Sequence, residues 1–249
     1  MRRRIRFSRD LSISPTTPDH QGSIQYLDIE SDQLPEGIRL LPPSSPSKIV
    51  CVGRNYADHA KELGNEVPKE PLIFLKPPSS LIAHGDAVVY PGLSQRVDFE
   101  GELALVIGKR ARQVKAAEAM EYVLGYTCLN DVTARDLQKK DGQWTRGKGF
   151  DTFCAVGPWM VYRDEVDFDG IRVQTHLNGE KKQDGSVGQL IFTLPAVIEY
   201  VTQFLTLEPG DLIATGTPEG VGPMQVGDTV RVTVTGVGSL ENRVVGDSR

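Results

Sequence analysis

The chain has 249 residues, of which 39% are hydrophobic and 24% charged, enough apolar material for a packed core and too evenly mixed for a disordered, collagenous or coiled-coil polypeptide. Its 28 Lys and Arg against 33 Asp and Glu give a net charge of −5, and no basic block follows the first six residues, which argues against a nucleic-acid or anionic-membrane partner and favours small molecules. No apolar run approaches the roughly 18 to 20 residues that cross a bilayer. The opening Met1-Arg2-Arg3-Arg4-Ile5-Arg6-Phe7-Ser8 alternates like a first strand and has no apolar signal-peptide core. Cys51, Cys128 and Cys154 are odd in number and far apart, without a Cys-x-x-Cys pair, so reduced thiols in a cytoplasmic protein are expected rather than disulfides or a thiolate zinc site.

In chain order, 25 Gly and 16 Pro punctuate short β-rich runs, the pattern of a largely β fold with many turns. Strands over 3–8 and 23–29 lead to a Pro-rich connector, Leu-Pro-Pro-Ser-Ser-Pro-Ser at 41–47. The connector divides the chain into a small N-terminal β subdomain, 1–47, and a catalytic domain, 48–249. A strand from Lys48 to Val52 and a short helix from Asn55 to Leu63 follow, then strands over Leu72 to Lys76, Ala87 to Tyr90 and Leu103 to Ile107. Ala116 to Glu121 reads as helical, Leu124 to Leu129 as a strand and Ala134 to Lys139 as a short helix before a long loop, 140–152, of the kind that carries function. Strands over 154–161, 171–177, 211–215 and 229–234 and an amphipathic helix from Leu194 to Phe204 complete the pattern. Strands do not alternate with long helices, so the expected class is α+β, mainly β: a mixed β-sandwich or rolled sheet with a few helices outside.

The sharpest chemical feature is Asp98-Phe99-Glu100-Gly101-Glu102-Leu103, where acidic residues alternate into an apolar strand. Period two puts Asp98, Glu100 and Glu102 on one face, where burial of like charges requires a cation, although a solvated edge strand gives the same pattern. Gly125 to Asp131 is an apolar strand ending in a third carboxylate. Three carboxylates without Cys or His form an oxygen-only set suited to Mg²⁺ or Mn²⁺, or to Ca²⁺, and they leave coordination positions open. His59 and Glu62, three apart on the short helix, share a face and can act as a general base, or lie on a solvated face. Lys148, between Gly147 and Gly149, can approach a ligand closely or remain a loop lysine. His84 and His176 have no partner at a telling spacing. The turn Gly216-Thr217-Pro218-Glu219-Gly220 can present N–H groups and Thr217 to an anion, yet it lacks the ending of a P-loop.

Five segments in order resemble the fumarylacetoacetate hydrolase family, in its short members with one catalytic domain: Val52 to His59, Asp98 to Leu103, Asn130 to Asp136, Gly147 to Thr152 and Gly216 to Gly222. The resemblance spans about residues 48–235 and implies that family's mixed β-sandwich roll, here with a small N-terminal β layer, in a homodimer. It implies Glu100, Glu102 and Asp131 as ligands of Mg²⁺ or Mn²⁺, with Asp98 behind them. It further implies water activation by His59 and Glu62 on a lid helix, substrate contact by Lys148, and further substrate contacts at Arg54, Tyr56, Arg135, Gln138 and Thr217. The implied activity is metal-dependent carbon–carbon hydrolysis of a 2-oxo acid, an acylpyruvate such as acetylpyruvate or fumarylpyruvate, with oxaloacetate decarboxylation or tautomerisation as a further activity. An isomerase or decarboxylase of aromatic catabolism acting on 2-hydroxy-dienedioates is the alternative, and a non-catalytic metal-stabilised binding domain is a third.

Overall fold

Eighteen β-strands and four α-helices among the described residues, 1–19, 24–62 and 67–247 of a computed structural model, account for about half of the chain. The first half holds β1 (Arg3–Ser8), β2 (Ile24–Ile29), β3 (Arg39–Leu41), β4 (Ile49–Gly53), α1 (Ala57–Glu62), β5 (Leu72–Lys76), β6 (Leu81–Ile82), β7 (Ala87–Tyr90), β8 (Val97–Phe99) and β9 (Gly101–Ile107). The second half adds β10 (Val123–Asp131), β11 (Thr133–Ala134), α2 (Arg135–Asp141), α3 (Thr145–Lys148), β12 (Cys154–Tyr162), β13 (Arg172–Leu177) and β14 (Glu180–Ser186). It ends with α4 (Leu194–Phe204), β15 (Leu212–Ala214), β16 (Gly222–Met224), β17 (Thr229–Val234) and β18 (Gly238–Gly246).

The strands form a ten-stranded sheet in the order β2-β1-β12-β10-β9-β15-β4-β5, with β3 on β1 and β6 on β12, a five-stranded sheet β14-β13-β17-β18-β7 and a small sheet β11-β8-β16. The large sheet is mixed, since β15 runs parallel to β4 and antiparallel to β9. Every residue of β9 is buried, which is why its sequence is nearly continuous in apolar residues rather than alternating. Leu103, Leu105 and Ile107 join Val173 and Val232 of the five-stranded sheet in the main core, while Ala104 and Val106 face the other way, into a second cluster with Ile49, Cys51, Leu129, Cys154 and Leu212. Leu194, Val197, Ile198 and Val201 of α4 recur at helical spacing and are all buried.

That two-sided burial decides where the polar residues go. Period two carries the face of Ala104 and Val106 back to Glu102 and Glu100, the face of Leu129 on to Asp131, that of Cys51 to Gly53, and that of Phe74 to Lys76. All converge at one end of the large sheet. The opposite face at the same level is closed to any side chain, because a Cβ on Gly101 would sit 2.0 Å from Thr175 Oγ1.

Most expected elements are present within a residue or two. The expected loop 140–152 contains one helical turn, α3, which presents Lys148. Residues 116–122 form 3-10 turns rather than an α-helix. The helix at 55–63 is α1, and its expected last residue, like residue 23 of the second strand, lies outside the described residues. β14 and β18 carry too many polar residues and glycines to stand out in the sequence. Residues 1–47 contribute β1 to β3, and β1 pairs with β12 in the large sheet. No helix among the described residues is long and apolar enough to cross a membrane.

Candidate active site

Glu100 lies where the chain passes from β8 to β9, and the side chain of Asn130 fixes it by accepting the Glu100 N–H at 2.9 Å. Glu102 is one pleat further on, and its Oε2 accepts the Gly216 N–H at 2.7 Å. Gly216 has a left-handed φ of +103°, and a Cβ there would stand 2.8 Å from that of Asn55, so only glycine lets this turn approach the carboxylate. Asp131 ends β10. One carboxylate oxygen from each of Glu100, Glu102 and Asp131 lies within 4.8 Å of the others, and all three residues are buried.

Three cations offset this charge. Lys148 Nζ donates to Glu100 Oε2 and Asp131 Oδ2, both at 2.6 Å. Lys76, fully buried at the end of β5, donates to Asp131 Oδ1 at 2.5 Å and to the Val132 carbonyl at 3.0 Å. Arg135, in the first turn of α2, donates from Nε to Asp98 at 2.9 Å, from Nη1 to Gln138 Oε1 at 2.7 Å and from Nη2 to Glu100. Burial alone would raise the Glu100 carboxyl, but the Lys148 ammonium and Arg135 guanidinium hold it below the usual carboxylate range. Glu102 has no such partner: burial, then the Asp131 and Glu100 charges, push it well above that range. Burial opposes the charge on Lys148, yet Asp131 and Glu100 outweigh it and raise its pKa.

These groups open into a cavity of about 300 Å³ lined by Arg54, His59, Phe74, Arg135, Gln138, Lys139, Trp144, Lys148 and Thr217 together with the three carboxylates. His59 is buried, with Nδ1 3.5 Å from Glu62 Oε2, while the Glu62 carboxylate, 35% exposed, accepts the Gly220 N–H at 3.1 and 3.2 Å. Burial pushes the imidazole below its ordinary pKa, with Arg135 acting the same way and Glu100 and Glu62 opposing. Thr217 Oγ1 donates to the Gly101 carbonyl at 2.8 Å.

The structure therefore brings Glu100, Glu102, Asp131, His59, Lys148, Arg54, Arg135, Gln138 and Thr217 to one cavity. Glu62 and Tyr56 do not line it: Glu62 reaches it through His59, and the Tyr56 hydroxyl is buried with no hydrogen-bond partner among the described residues. Asp98, drawn in the sequence onto the acidic face, is bridged by Arg96 and Arg135 behind Glu100. Sequence reading missed Lys76, Trp144 and Gln183. A lysine closing the apolar run Leu72 to Leu75 is a legible signal for Lys76. Gln183 accepts the Gly101 N–H at 3.0 Å and donates to Thr217 Oγ1 and the Pro218 carbonyl, both at 2.7 Å, but its polar strand carries no such signal.

The donor set fits a divalent metal. It is oxygen-only and buried, Glu102 has no cationic partner of its own among the described residues, and the Lys148 ammonium already lies between Glu100 and Asp131 as a cation would. Cys51 and Cys154, in the same layer, are free thiols whose pKa burial raises, in the case of Cys154 to about 12.

The family model described as Fumarylacetoacetate (FAA) hydrolase C-terminal matches residues 48–245. The chain belongs to this family. Mitochondrial oxaloacetate tautomerase FAHD2A of Homo sapiens is 46% identical over 216 residues, 83% of this chain and 69% of that protein. The crystal structure of 5-carboxymethyl-2-hydroxymuconate delta-isomerase from Mycobacterium smegmatis superposes with a TM-score of 0.86 at 41% identity, covering 99% of this chain and all of that one. Fumarylpyruvate hydrolase from Pseudomonas aeruginosa, solved with Mn²⁺ and pyruvate, gives 0.77 at 33% identity over 87% of this chain and 93% of that one. These relatives are enzymes acting on small molecules, and the mainly β architecture is shared with the neighbours in structure.

Proposed function

We propose that the chain is a divalent-metal-dependent carbon–carbon hydrolase of acylpyruvates, with Mg²⁺ or Mn²⁺ held by Glu100, Glu102 and Asp131. The observation that carries this reading is a cavity shared by a buried carboxylate triad, a buried lysine and a buried histidine backed by a carboxylate. When bound there, the cation would supply Lewis acidity to the 2-oxo acid end of the substrate. Burial keeps His59 neutral, the form that takes a proton, and Glu62 stabilises the imidazolium that results. His59 removes a proton from water, the hydroxide adds to the distal carbonyl carbon, and the carbon–carbon bond breaks with its electron pair passing to the departing pyruvate as an enolate. The Lys148 ammonium neutralises that charge, and return of the His59 proton to the enolate carbon completes one carboxylic acid and one pyruvate. Arg135 and Gln138, bonded to each other, hold the floor of the cavity.

Tautomerisation of oxaloacetate is the second reading, favoured by the 46% identity to a tautomerase. It moves one proton between carbon and oxygen and consumes no water. His59→Ala tests the hydrolytic reading: hydrolysis of fumarylpyruvate, followed by pyruvate release, is expected to vanish while Mn²⁺ binding by calorimetry persists. Full hydrolytic rate in that variant would remove His59 from the mechanism.

A further inference from the structure

Of the three cations bonded to the carboxylate triad, Lys148 and Arg135 line the cavity and Lys76 does not. Lys76 closes β5 just before Pro77 and Pro78, so its backbone is fixed by the pairing with Ile49 on one side and by a proline-led turn on the other. Its side chain is fully buried, and Nζ is held between two acceptors, Asp131 Oδ1 at 2.5 Å and the Val132 carbonyl at 3.0 Å. The Asp131 backbone is held as well, since its N–H donates to the Glu100 carbonyl at 2.8 Å. One oxygen of each carboxylate is thus taken: Asp131 Oδ1 by Lys76, Glu100 Oε1 by Arg135 and Glu102 Oε2 by the Gly216 N–H at 2.7 Å. Asp131 Oδ2 and Glu100 Oε2 meet the Lys148 ammonium, on the cavity side. Lys148 can yield that place to a cation by moving into the cavity, whereas Lys76 is closed off from it.

We propose that Lys76 is a positioning residue that confines Asp131 to coordination through one oxygen, so that the site discriminates among divalent cations by the number of ligands they need. The proposal rests on the reading of the triad as a divalent-cation site given above. A carboxylate that grips a cation with both oxygens must bring Oδ1 as close as Oδ2. Here that would press the cation against a buried ammonium that has nowhere to go. Three ligands of one oxygen each suit Mg²⁺ and Mn²⁺, which take octahedral geometry and leave the remaining positions to water or substrate. Ca²⁺ takes roughly six to eight oxygens and commonly fills its shell with a bidentate carboxylate, which Lys76 denies it.

Calorimetric titration of the metal-stripped protein with Mn²⁺ and with Ca²⁺ tests this without turnover. The wild type is expected to bind Mn²⁺ at least about tenfold more tightly than Ca²⁺. Lys76→Met keeps the unbranched bulk in the core and removes the ammonium. The lost positive charge acts on both cations alike, so the ratio of the two dissociation constants isolates the freed oxygen, and it should fall several-fold. Equal affinities in the wild type, or a ratio unchanged in the folded variant, would overturn the role of Lys76 while leaving the metal reading intact. A second measurement needs no variant: pulsed electron paramagnetic resonance of Mn²⁺ bound to the wild type in ¹⁷O-enriched water counts the waters on the metal. Three single-oxygen carboxylates in an octahedral shell leave three positions for water. A count of two or fewer would show a carboxylate gripping with both oxygens and overturn the proposal. Failure of both cations to bind would instead refute the underlying assignment of the triad to a metal.

Discussion

Replacing Glu102 by Gln separates what that carboxylate costs the protein from what it does for a bound cation. Two other carboxylate oxygens lie within 4.8 Å of the Glu102 oxygen, and unit charges at that separation repel by roughly 3 to 4 kcal/mol per pair at an effective dielectric of 20. Lys148 and Lys76 bond to Asp131, and Lys148 and Arg135 to Glu100, but none bonds to Glu102. The Gln carboxamide oxygen can still accept the Gly216 N–H that Glu102 now accepts at 2.7 Å, so the turn survives. Without metal, Glu102→Gln should therefore unfold at the same temperature as the wild type or higher. With Mn²⁺ at 100 times its Kd the wild type gains about 2.7 kcal/mol. For a chain of this size that is a rise of roughly 5 to 11 °C in Tm. The variant at the same Mn²⁺ concentration should keep less than a third of that rise. Differential scanning calorimetry with and without Mn²⁺ reads both quantities. A full metal-induced rise in the variant, or a metal-free Tm several degrees below the wild type, would refute the reasoning.

Two further outcomes follow from the same geometry. Glu62 raises the pKa of His59, so Glu62→Gln should lower it and move the acid limb of the pH profile of hydrolysis to lower pH, along with a reduced plateau; an acid limb that stays in place would separate Glu62 from His59. Gln183→Leu strands the Gly101 N–H and the Pro218 carbonyl in the interior and should cost about 1 to 3 kcal/mol in urea unfolding, with weaker Mn²⁺ binding because Gly101 separates two of the carboxylates; an unchanged urea midpoint would show that Gln183 is dispensable.

What the sequence made legible was local. Alternation of Glu100 and Glu102 into an apolar strand, and Asp131 at the end of another, required only period two and the cost of buried charge. The amphipathic spacing of α4 was equally plain. Long-range pairing was not legible: β4 meets β15 in parallel and β7 meets β18 across about 150 intervening residues, and nothing in a single strand names its partner. The same limit hid Lys76 and Gln183. Each acts on a site residue distant in the chain, Lys76 on Asp131 and Gln183 on Gly101 and Thr217, so their roles exist only once the sheets are assembled.

The most direct test of the central claim is pyruvate release from fumarylpyruvate by the purified protein, first with Mg²⁺ or Mn²⁺ and then with an excess of chelator. The account predicts release that requires the cation and returns when it is added back. Release at an undiminished rate in chelator, or no release under either condition, would contradict it.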